Sequence, residues 1–114
     1  MPSLQELEED DWGTAAPEAT RMVQRCIELR RKPISDFDDE DLRLMIGQQI
    51  GIDHLAPLAI TVLEANPLAS GRMFEGALME NLVRIDETWW IAHPAEERRL
   101  VAIIDRIGRA TSVL

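Results

Sequence analysis

Apolar side chains recur three and four positions apart along most of this chain, the spacing of one helical face. Ala19, Met22, Val23, Cys26 and Ile27 form the first stripe, with Pro17 suited to the opening turn. Pro33 ends that helix, because proline lacks the backbone donor and disfavours helical geometry at Lys32. Glu28, Arg31 and Lys32 line its wet side. Leu42, Met45, Ile46 and Ile50 make a second stripe, on a helix that Asp38 caps and Gly51 stops with a left-handed turn. Gly47 within it costs about 1 kcal/mol relative to alanine, which points to a close approach by another backbone. Over residues 55–65 only Thr61 and Glu64 are strongly polar, so this third helix is central and buried, with Leu58 among its core positions. Pro57 either sets its start near Leu55 or removes an early hydrogen bond, and Asn66-Pro67 ends it. After a loop at Ser70-Gly71, Phe74, Leu78, Leu82, Ile85 and Trp89 approximate one face of a fourth helix over residues 76–91. A fifth opens at Pro94 with Glu96 and Glu97 in its first turn and Leu100, Ile103, Ile104 and Ile107 as its buried stripe; Arg106 and Arg109 suit its negative end. With no alternating strand pattern and no repeat of about 20 to 50 residues, the pattern predicts an all-α fold, a single compact bundle of about five helices.

Composition changes this picture at the N-terminus. Residues 1–13 are rich in Glu and Asp, have little to bury beyond Leu4, Leu7 and Trp12, and are expected to form a mobile acidic arm ahead of a helical domain over residues 14–114. A chain of 114 residues is long enough to bury a core without disulfides. Cys26 is the only cysteine, so neither an internal disulfide nor a thiolate zinc site is expected. No apolar run approaches the ~20 residues of a membrane span and the first residues lack a secretory signal, so cytoplasm is the expected compartment.

The net charge of −9 is concentrated in the first half, where residues 1–57 hold 13 acids against 6 bases. Acids cluster at Glu6, Glu8, Glu9, Asp10 and Asp11 and again at Asp36, Asp38, Asp39, Glu40 and Asp41, which disfavours direct contact with nucleic acid or membrane surfaces. One helix end needs only Asp38 and a neighbour for capping, leaving Asp36, Asp39, Glu40 and Asp41 as the candidate partner-binding acids.

Catalytic and metal patterns fail on inspection. Asp36, Asp38 and Glu40 begin like a calcium loop, but Asp41 stands where glycine is required and Gly47 where the bidentate acid belongs. His54 and His93 belong to no metal-ligand spacing, and Gly71 and Gly76 are followed by Ala77-Leu78 where a phosphate-binding loop needs lysine and a hydroxyl residue. No catalytic residue, metal or cofactor is expected. Trp89 and Trp90 are about 100° apart on a helix, so one of them is expected to be partly exposed.

The stretch over residues 33–82 carries Glu40-Asp41-Leu42-Arg43, Ile46-Gly47-Gln48-Gln49-Ile50-Gly51, Pro57-Leu58-Ala59 and Asn66-Pro67-Leu68-Ala69 in that order. It resembles the immunity proteins of contact-dependent growth inhibition systems; between Gly71 and Gly76 the chain departs from their pattern. The resemblance implies a cytoplasmic antidote that binds one cognate toxin domain, commonly a nuclease, and performs no chemistry itself. Two other readings of the residues are a regulatory adaptor and an acidic nucleic-acid mimic that sequesters a DNA-binding protein.

Overall fold

The computed structural model describes residues 2–13, 16–69 and 76–112. Helix α1 (Leu4–Glu8) occupies the segment expected to be a mobile arm. Ser3 and Glu6 form a capping box, each side chain accepting the other's backbone N–H at 3.2 Å. Five residues are too few for an isolated helix, so α1 depends on what it packs against. Leu4 is fully buried, and the Ile34 N–H donates to the Pro2 carbonyl at 3.0 Å. The acidic composition predicted too little to bury; Leu4 placed over Gly51, together with the buried Arg30 side chain paired with Glu8, docks the segment.

Helix α2 (Arg21–Arg31) starts four residues later than Pro17 suggests, because Thr20 caps it by accepting the Val23 N–H. Its end before Pro33 agrees with the sequence. Its buried face does not: Cys26, Leu29 and Arg30 are buried, whereas Met22 and Val23 are each 47% exposed and Ile27 is half-buried. The early apolar positions share the predicted face, but that end of α2 extends past the elements that would cover it.

A 3₁₀ turn over Ile34–Asp36 leads into α3 (Asp39–Gly47), capped by Asp38. This helix stops a turn before Gly51. Gln49 takes the left-handed conformation, at φ 61°, and the Gln49 and Ile50 N–H groups return to the Ile46 and Met45 carbonyls, both at 2.9 Å. That pair of bonds closes the helix end, with Ile50 packed against the core from outside the helix. Gly51 instead caps the next helix, and it must be glycine twice over: its φ is +65°, and a Cβ there would lie 2.7 Å from Leu4 Cδ1. At Gly47 a Cβ would lie 2.8 Å from Asn81 Nδ2, so the close approach expected there comes from a side chain instead of a backbone. The same amide donates to the Arg43 carbonyl at 2.8 Å and ties α3 to the helix that carries Asn81, α5 (Ala77–Val83).

Helix α4 (Ile52–Ala65) carries Pro57 in its interior and lies against α3, α5 and the last helix, α7 (Pro94–Ser112). Leu55, Ala56, Ala59, Ile60 and Leu63 form its buried face, while Leu58, expected in the core, is half-buried. Thr61 and Glu64 face water, where Arg99 binds Glu64 at 2.6 Å. The single fourth helix expected over residues 76–91 is two helices, α5 (Ala77–Val83) and α6 (Glu87–Ala92). Asp86 breaks it by accepting the Thr88 N–H at 2.9 Å, a cap signal visible in Asp86-Glu87-Thr88. The break re-phases the apolar face, so Leu78, Leu82, Ile85 and Trp90 are buried and Trp89 is the partly exposed tryptophan. Phe74 and the loop at Ser70-Gly71 lie outside the described residues.

Helix α7 (Pro94–Ser112) begins where proline predicts. Leu100 and Ile103 are buried and Ile107 half-buried, but Ile104 is 45% exposed instead of buried. Among the described residues there are thus seven α-helices, five of them at least seven residues long, and no strand. The all-α expectation holds, and the two additional helices are short ones the apolar period did not resolve.

Candidate functional site

The candidate acids sit where the 3₁₀ turn meets the start of α3. Asp38 and Asp41 form a second capping box: Asp38 Oδ1 accepts the Asp41 N–H at 2.8 Å, and Asp41 Oδ2 accepts the Asp38 N–H at 3.2 Å. Asp41 also accepts from Lys32 Nζ at 2.7 Å and Arg25 Nη2 at 3.1 Å, with its side chain only 3% exposed. Burial pushes its carboxyl up, but the Lys32 ammonium, the Asp38 N–H and Arg25 outweigh that and hold it below its ordinary value. Glu40 is bound by Arg43 on the same helix, and this contact raises the Arg43 guanidinium.

The four candidates therefore separate. Asp36 is exposed, Asp39 is half-exposed beside it at the first helical position, and neither has an ion-pair partner among the described residues. Glu40 is half-buried and engaged with Arg43; Asp41 is buried and structural. Asp38, assigned to capping alone, remains exposed and adds its charge to Asp36 and Asp39.

The partners of Asp41 were not legible in the sequence, which places Lys32 on the wet side of its helix. Arg25 and Lys32 reach it between helices, and no short spacing rule encodes that contact. The same holds at the N-terminal cluster. Arg30 binds Glu8, and Arg31 lies 3.4 Å from Asp11, whose Oδ1 accepts the Gly13 N–H at 2.7 Å. That backbone bond keeps the Asp11 carboxyl below its ordinary value against the opposing effect of burial, with Arg31 adding in the same direction. Arg25, Arg30 and Arg31 on α2, and Lys32 at its C-cap, are thus each paired with an acid within the fold. Their positive charge is spent internally, and the surplus facing water around α3 is negative.

Asp41→Asn tests the structural assignment. It keeps a capping oxygen but removes the charge that Lys32 and Arg25 face. The expected loss is about 2 kcal/mol at neutral pH, below the ~3–5 kcal/mol of a fully buried pair because both cations keep access to water. The Asp41 carboxyl titrates lower in the folded state than its unfolded value of about 3.9, so its contribution is complete above that pH and disappears as pH falls through the folded value. Urea midpoints measured across the acid range should therefore fall more steeply for the wild type than for Asp41→Asn. Asp36→Asn should stay within about 0.5 kcal/mol of wild type, and equal losses for the two variants would contradict the division drawn here.

Trp89 is held by its own fold. Its Nε1 donates to Asp53 Oδ1 at 2.6 Å, and the His93 ring stacks on it with centroids 4.0 Å apart. Among the described residues no three His, Cys, Asp or Glu side chains converge as a metal site, and no helix is long and apolar enough to cross a membrane. What the site offers is an exposed acidic edge on a helical frame, suited to binding a cationic surface. A model of the family described as CDI immunity proteins matches residues 6–100. No curated protein and no solved structure matches the chain.

Proposed function

The chain belongs to the family of CDI immunity proteins, and from that premise we propose that it protects the cytoplasm by binding one cognate nuclease toxin domain in a stoichiometric complex. The observation that carries the nuclease reading is the uncompensated acidic edge at Asp36, Asp38 and Asp39. A nuclease must attract phosphate, so its substrate face is cationic; an acidic antidote is drawn to that face and keeps nucleic acid off it. The same charge opposes direct binding of this protein to nucleic acid or to an anionic membrane.

Asp36, Asp39 and Glu40 are assigned to steering, with Glu40 acting as part of its pair with Arg43. Asp41 contributes by holding the start of α3 in place. The triple variant Asp36→Asn, Asp39→Asn, Glu40→Gln should keep the helical signal, associate more slowly with the toxin domain and show a flatter salt dependence, because exposed charges are screened over about 8 Å at physiological ionic strength. Dissociation should change less. Association at the wild-type rate with the wild-type salt slope would remove this edge from the binding mechanism.

Stoichiometry tests the function itself. Titration of nuclease activity with this protein should end near one antidote per toxin, whereas complete inactivation at a hundredfold deficit would mean that it acts catalytically.

A further inference from the structure

We propose that the groove between α5, α6 and α7 is an anchor site for the same partner, taking one large apolar side chain that the partner presents among basic residues. This rests on the toxin-binding reading above and adds a second surface to it, away from the acids of α3. The groove is open to solvent and has a volume of about 560 Å³. Trp90, Ile85 and Leu100, all buried, line its inner part, and Val83 and Ile91 line it at 49% and 67% exposure. Asp86, Glu87 and Glu97 line it too, as does Arg84, which Glu80 engages one turn earlier on α5.

Isolated exposed aliphatic side chains are ordinary, but here they are grouped. Val83 and Ile91 come from different helices and line one groove beside an aromatic side chain. On α7, Glu97, Val101 and Ile104 are separated by four and three residues, so they share one side of the helix and continue the apolar surface away from the groove. Val101 and Ile104 are both about half exposed. A cover for this surface gains from every apolar side chain it removes from water.

The acids select the cover. A second copy of this chain would bring the same three carboxylates against Asp86, Glu87 and Glu97, and an anionic bilayer or a nucleic acid would meet the same repulsion. A cationic protein surface with a protruding leucine, methionine or aromatic side chain satisfies both parts: the side chain fills the groove and its basic neighbours meet the carboxylates. Charge at α3 then governs encounter, and the groove governs residence time.

The test uses Ile91→Glu and Ile91→Leu in the whole 114-residue chain, with the purified cognate toxin domain as the probe. Ile91 is largely exposed, so both variants should melt as the wild type does. Ile91→Glu should dissociate at least tenfold faster with association no slower and its salt slope no flatter, since the added carboxylate faces basic side chains, and Ile91→Leu should stay within about twofold of wild type. If wild type neutralises that domain and Ile91→Glu dissociates at the wild-type rate, the anchor is wrong while the immunity reading stands. If wild type does not bind the domain at all, both fall. A wild-type dimer in sedimentation that Ile91→Glu converts to monomer would make the groove a self-interface and overturn the proposal in a different way.

Discussion

Ile60→Asp is expected to leave no cooperative thermal transition. Ile60 is fully buried in the middle of α4, which lies against α3, α5 and α7, so its site has apolar neighbours and no water. The substitution loses the ~1.5–3 kcal/mol gained by burying an aliphatic side chain. It also places a carboxylate where neither charge nor hydrogen-bond partner compensates it, a further cost of several kcal/mol. Together these approach the whole stability of a domain of this size, about 5–15 kcal/mol. Ile60→Val should cost about 1 kcal/mol and retain the transition. Val101→Asp puts the same carboxylate on α7 at a position 55% exposed, and should stay within about 0.5 kcal/mol of wild type. Calorimetry on the three variants checks the burial pattern, and a normal transition for Ile60→Asp would place α4 outside the core. Leu58→Asp is the weaker test, because Leu58 is only half-buried and its carboxylate could reach water.

Arg30→Ala is expected to release the N-terminal segment and to cost about 3 kcal/mol. The Arg30 side chain is 2% exposed; it pairs with Glu8, donates to the Asp10 carbonyl at 2.7 Å and lies over the Trp12 ring with 4.2 Å to the centroid. Three contacts from one guanidinium thus hold residues on both sides of the end of α1. Glu8 keeps a third of its surface in water, so it rehydrates when the arginine is removed, and this keeps the loss below the upper end for a broken buried pair. The remaining cost comes from the emptied volume under α1 and from the lost stack on Trp12. Arg30→Lys should recover less than half of it, because an ammonium cannot make the planar two-sided contact with Glu8 and the Asp10 carbonyl. The readouts are the urea midpoint and Trp12 emission, which should shift to the red as the ring enters water. Unchanged emission and an unchanged midpoint would mean that Leu4 alone docks the segment.

Much of the fold is local and was legible before any tertiary contact was known. Pro33 and Asn66-Pro67 end helices, Asp38 and Pro94 begin them, and the recurrence of apolar residues at three and four positions makes the chain all-α. Each of these signals acts within about one turn of backbone. The order of motifs between Glu40 and Ala69 was legible in the same way, and it falls inside the residues that match the CDI immunity family.

Burial of particular residues was decided only by how the helices meet. The period along α2 makes Met22, Val23 and Cys26 neighbours, but it does not say that cover ends short of Met22 and Val23 or that Arg30 is sealed in by Glu8, Asp10 and Trp12. In the same way Asp41 reads as one of four equivalent acids, Asp38 being set apart as the cap, until Arg25 and Lys32, sixteen and nine residues earlier, close on it. Ile104 falls on the predicted stripe of α7, yet only Leu100 and Ile103 of that stripe are fully covered. Helical spacing determines which side chains share a face; which faces acquire a neighbour, and which charges acquire a partner, depends on contacts between segments distant in the chain, and only the tertiary structure supplies them.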